Sequence, residues 1–156
     1  MQGDDFTTDD LIALAPNPKE FKEHIDWLIE NDMKFKLGID LSFVGFIEDY
    51  YYLSRIIPTE YFIIDVGCCT GVQHILFKNF KGYIGITEHP SGQKSFTNNA
   101  KFIEKVFSEA AKDIQDLCLN ERTFGIANMS ILYAPKDKVD RELKCFKNMF
   151  DRMYIN

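Results

Sequence analysis

Apolar positions change their spacing near residue 58. Before it they recur at three- and four-residue steps, the period of helices with one buried face. Thr7 or Thr8 can cap a short helix over residues 9–15, with Asp9 and Asp10 favourably placed in its first turn. Pro16 stops it. Asn17-Pro18-Lys19-Glu20 then joins a cap residue, a proline at the first helical position and a glutamate three after the cap. Phe21, His24, Ile25, Leu28 and Ile29 follow on one face. Leu37-Gly38 is a break, and a third helix over residues 40–55 is aromatic at Phe43, Phe46, Tyr50 and Tyr51. The simplest reading of residues 1–58 is a helical cap packed on a core. A substrate lid is the functional alternative, with Tyr50, Tyr51 and Tyr52 as its aromatic part.

After residue 58 the apolar runs shorten. Residues 61–66, Tyr-Phe-Ile-Ile-Asp-Val, are apolar on both faces, as a strand covered by helices must be. The small-residue turn Gly67-Cys68-Cys69-Thr70-Gly71 follows, then an amphipathic segment over 72–80 read as a helix whose first N–H groups face a polar ligand. Glycines suit positive φ or close backbone approach. Gly82-Tyr83-Ile84-Gly85-Ile86-Thr87-Glu88 has the character of a second strand. Residues 89–119 allow two readings. Ile103, Val106, Phe107, Ala110, Ile114 and Leu117 fall at helical steps, which supports one long helix. Residues 123–133 are apolar enough for another central strand, ended by Ala134-Pro135. Residues 136–154 form a final amphipathic helix carrying Val139, Leu143, Phe146, Met149 and Phe150 on one face.

Asp65-Val66-Gly67-Cys68-Cys69-Thr70-Gly71 resembles the first motif of class I S-adenosylmethionine-dependent methyltransferases, Asp-x-Gly-x-Gly-x-Gly, with Cys69 where the middle glycine is usual. Residues 82–88 resemble that family's second strand, at the distance a nucleotide-binding βαβ unit requires. The family places there an acid that grips the cofactor ribose; Thr87 holds the usual position and Glu88 follows it. Residues 100–107 resemble the third strand, which gives the second reading of 89–119: a strand, then a helix over 109–119. The strand is preferred. An acid near the end of that strand often binds the adenine amine, and Val106 and Phe107 sit near that place. The resemblance implies an α/β fold with a Rossmann-like, mostly parallel sheet of about four to five strands, a core over 59–156 and an N-terminal helical cap over 1–58. It implies S-adenosylmethionine held by Asp65, Gly67, Cys68, Cys69, Gly71, Thr87 and Glu88, with a small molecule or a protein side chain as methyl acceptor. Asn128, Ser130 and His89 are the candidate polar groups for catalysis.

Three departures weigh against catalysis. The ribose acid is replaced or shifted by one residue. The segment 128–133 lacks the Asn-Pro-Pro-Tyr or Asp-Pro-Pro-Tyr run of enzymes that methylate nucleic-acid amino groups. The given residues are also expected to stop short of the later strands of a full methyltransferase, which would leave a sheet edge to be covered by the N-terminal helices or by a partner, a homo-oligomer included. A non-catalytic, methyltransferase-like binding or regulatory protein is therefore the alternative. A protein for another adenosine ligand is a third; the turn has no lysine of a phosphate-binding loop.

Composition narrows the rest. The 156 residues are 46% hydrophobic and 14% aromatic, a globular composition of one-domain size. A net charge of −6 gives no footprint for nucleic acid. Cys68, Cys69, Cys118 and Cys145 have neither zinc-ligand nor disulfide spacing, so reduced thiols and no metal are expected. No leader-like apolar segment and no membrane-length run is read, and the cytoplasm is the expected location.

Overall fold

The computed structural model describes residues 6–31, 47–88, 92–128 and 136–155. Two compact units divide the chain, Met1–Ile57 and Pro58–Asn156.

The first unit is helical. Helix α1 covers Thr8–Leu14, and Thr7 caps it: the Asp10 amide donates to Thr7 Oγ1 at 3.2 Å and the Thr7 amide to Asp10 Oδ2 at 2.7 Å. The Thr7 amide, and next the Thr7 hydroxyl donating at 2.8 Å, hold the Asp10 carboxyl below its ordinary range. Helix α2, Pro18–Asn31, starts at the proline as expected and buries Phe21, Ile25 and Leu28. Residues 47–56 are helical and are here α3; the expected first part of this helix, with Phe43 and Phe46, lies outside the described residues. Tyr50 is buried, Tyr51 stacks on Phe6 with ring centres 4.2 Å apart, and Tyr52 is exposed.

The second unit is a five-stranded parallel sheet. Its strands are β1 (Phe62–Val66), β2 (Gly82–Thr87), β3 (Ala100–Glu104), β4 (Thr123–Ala127) and β5 (Arg152–Ile155). Their order is β3-β2-β1-β4-β5, and every pairing is parallel. This is a Rossmann-like arrangement, in which the chain reverses direction across the sheet between β1 and β4. Alternation along the strands gives each face its own core. Ile64, Val66, Ile84 and Ile86 pack with Phe107, Ala110 and Ile114 of α4 (Phe107–Leu117) and Phe146 of α5 (Lys136–Met149). Asp65, Tyr83, Gly85 and Phe102 belong to the other face, beside a short 3-10 helix at Val72–Phe77.

Three local expectations need correction. The segment after the turn is a six-residue 3-10 helix, and Val72, Gln73, His74, Ile75 and Phe77 are all buried. It has no solvated face and no α-helical N-terminus to offer a ligand. Residues 89–119 contain a strand and then a helix, but the helix begins at Phe107. Val106 carries no capping side chain; instead Glu142 of α5 accepts from the Ser108 amide at 3.1 Å, which puts a buried carboxylate at the positive end of α4. Finally, α5 stops at Met149, and Arg152–Ile155 joins the sheet as β5. Asp151 fixes that change of course by accepting from the Thr123 amide at 2.8 Å at the start of β4.

Candidate functional site

Strand β1 delivers the chain to the point where the sheet order reverses. Its turn places Gly67 at φ 75°, Cys69 at φ 52° and Gly71 at φ 69°. Positive φ thus recurs at each position where the methyltransferase motif has a glycine. Cys69 adopts it with a side chain attached, at a cost of about 1–2 kcal/mol. Cys68 and Thr70 point inward and are buried, whereas Cys69 is exposed. The amides of Gly67 and Cys68 both donate to the Ile86 carbonyl, at 2.7 and 3.0 Å, which ties the turn to the end of β2.

Behind the turn lies a buried polar group. Asp65 is fully buried, and its Oδ2 accepts from the Tyr83 hydroxyl at 2.5 Å and from Gln73 Nε2 at 2.8 Å. The same Gln73 nitrogen donates to the Cys68 carbonyl at 2.9 Å. Both partners are acceptors, so the amide nitrogen must be the atom that faces them. The Asp65 carboxylate therefore shapes the turn from behind. His74 joins the turn to the next loop: its Nδ1 lies 2.6 Å from the Gly71 carbonyl and its Nε2 accepts from the Phe96 amide at 3.0 Å. A carbonyl on one side and an N–H on the other select the neutral ring with its proton on Nδ1.

Two glycines of the motif region have a packing reason as well. A Cβ on Gly71 would come within 2.3 Å of the Phe102 ring, and one on Gly85 within 2.7 Å of that ring and 2.8 Å of Cys68 Sγ. Phe102, in register with Gly85, fills the space that two absent side chains leave. The sequence signal for this residue was only its apolar character.

The remaining candidates gather at the same end of the sheet. Thr87 is the last residue of β2 and is buried; Glu88 follows it and is exposed. Glu104 ends β3, is exposed and lies in register with Thr87. Strand β3 thus ends on an acid, Glu104, and stops before Val106 and Phe107, earlier than the 100–107 that the resemblance implied. Asn128 follows β4, whose Ile126 is in register with Asp65, so it stands buried across the switch point from Gly67. His89 and Ser130 lie outside the described residues.

The thiols are held protonated. Burial, and next the Asp65 carboxylate, push Cys68 well above its ordinary range. Cys69 reaches the surface from a densely packed turn, and desolvation followed by Asp65 raises it too. Burial, then Glu121, takes Cys118 to about 11. None has the lowered pKa of a nucleophilic cysteine. Among the described residues no three His, Cys, Asp or Glu side chains come together as a metal site, and no helix is long and apolar enough to cross a membrane.

The groups exposed at this end that an adenosine ligand could meet are Cys69 and the Glu88 carboxylate, an acceptor for hydroxyls, with Asn128 buried. These groups suit ribose and an amine better than phosphate, because the turn holds no cationic side chain. Asp65 fits only as an indirect contributor. No protein-family model matches the chain, and no curated protein matches it in sequence.

Proposed function

We propose that the chain is an S-adenosylmethionine-binding protein that transfers the methyl group to a small molecule or a protein side chain. The observation that carries this reading is the turn itself: positive φ at 67, 69 and 71, at the reversal point of a parallel 3-2-1-4-5 sheet. Ligands of open α/β sheets bind outside the strand ends at that point. Methyl transfer from a sulfonium depends mostly on in-line positioning and exclusion of water, so it requires no strong base.

A second reading is a non-catalytic relative of that fold that binds a partner. Two features favour it: the Phe102 ring packed against Gly71, and the side chain at Cys69. Calorimetric titration of the full chain with S-adenosylmethionine and S-adenosylhomocysteine separates the two. Binding to both ligands supports the first reading, and it is weakened at least tenfold when Glu88→Ala removes the hydroxyl acceptor. Folded protein that gives no heat with either ligand at millimolar concentration sinks it.

A further inference from the structure

Cys69 stands between two peptide planes, and each is held by a glutamine. The Cys68 carbonyl, on the plane before it, accepts from Gln73 Nε2 at 2.9 Å and from the Gly71 amide at 2.9 Å. The Cys69 carbonyl, on the plane after it, accepts from Gln93 Nε2 at 2.8 Å. The orientations of those two planes define φ and ψ of Cys69. We propose that Gln73 and Gln93 are positioning residues that clamp both planes and so hold Cys69 in the left-handed conformation the ligand turn requires.

The two arms differ in their anchorage. Gln73 is buried, and its amide also bonds Asp65 on the central strand, so it transmits the rigidity of the sheet to the turn. Gln93 is on the loop after β2 and is half-buried at the surface. Phe96 on the same loop is bonded to His74, which in turn bonds the Gly71 carbonyl. The loop is therefore fastened to the turn at two places, and Gln93 is the one that acts on the strained residue. An L-residue leaves positive φ when its flanking planes are released, whereas glycine has no such preference. A clamp of this kind matters only while residue 69 carries a side chain.

That condition supplies the test, which rests on the cofactor reading only in its second arm. Amide exchange in the full chain is followed by NMR for Gln93→Ala, Cys69→Gly and the double variant. Gln93→Ala is expected to speed exchange of the Gly71 amide about five- to tenfold, as for loss of one hydrogen bond, and to leave the β4 and β5 amides unchanged. In the Cys69→Gly background the same substitution is expected to have less than about a third of that effect. Equal acceleration in both backgrounds, or acceleration across the whole sheet, overturns the clamp. Gln73→Met repeats the cycle from the buried arm, and Gln93 alone decides if that variant does not fold. In the second arm, S-adenosylhomocysteine affinity is measured on the same proteins. Wild-type chain that takes up no ligand overturns the cofactor reading, while the exchange cycle still decides the clamp.

Discussion

Replacing Cys69 by glycine should make the protein more stable, against the usual effect of putting glycine into a folded chain. At φ 52° an L-side chain carries about 1–2 kcal/mol of steric strain, which glycine removes. Against this stands the extra backbone freedom of glycine in the unfolded chain, about 0.4–1 kcal/mol. The hydrogen bond from Gln93 goes to the backbone carbonyl and survives the substitution. Cys69 is an exposed residue, so little apolar burial is lost. The balance is a gain of about 0.5–1 kcal/mol, or roughly 1–4 °C in Tm for a chain of this size. Calorimetric or circular-dichroism melting of wild type, Cys69→Gly and Cys69→Ala measures it. The alanine variant keeps the strain and removes only the thiol, so it should melt within about 1 °C of wild type. A glycine variant that melts below the alanine variant would refute the reasoning, because the side chain would then be stabilising this conformation.

Two further outcomes follow from contacts around the turn. Gly85→Ala drives a methyl group into Phe102 and Cys68 and should cost about 1–3 kcal/mol in urea unfolding; adding Phe102→Leu should recover part of that loss, and strict additivity would count against the packing role given to Phe102. Cys118 is pushed from its ordinary 9.0 to about 11, so the folded state favours the protonated thiol. Its contribution is complete below about pH 9 and is lost as pH rises toward about 11, because the unfolded chain ionises first. The fall in Tm over that window should be smaller in Cys118→Ser, and an identical profile in the two proteins would contradict it.

The α/β class and the central strand were legible because residues 61–66 are apolar on both faces and end in Asp-x-Gly. The caps at Thr7 and Asn17 were legible because their bonds are local. Strand β5 was not. Met149, Phe150 and Met153 continue the spacing of α5, and neither glycine nor proline stops that helix. What turns Arg152–Ile155 into a strand is pairing with β4 and the Asp151–Thr123 bond, both of them tertiary. Strand β3 was ambiguous for a related reason: Ile103, Val106 and Phe107 continue the helical steps of Ala110 and Ile114 across a real boundary. At the candidate site the sequence pointed to the turn, but not to the buried bonds of Asp65. Gln73, His74 and Phe102 gave no signal of their own, since their roles come from partners brought together by the sheet. Nor does a cysteine announce a left-handed backbone.

Among the described residues strand β1 comes first of the strands in sequence, and it lies in the middle of the sheet. Its β2 neighbour follows closely along the chain, and its β4 neighbour arrives only after β3 and α4 have been made. During synthesis or refolding, β1-β2-β3 can assemble while the other edge of β1 still has open hydrogen-bonding groups along apolar Ile63 and Ile64. Late, non-local pairing of this kind slows folding and leaves that edge open to wrong partners. On that route the crevice between β1 and β4 forms only once β4 has paired. Any ligand that binds there recognises only chains in which β4 has paired, and it favours that pairing by mass action.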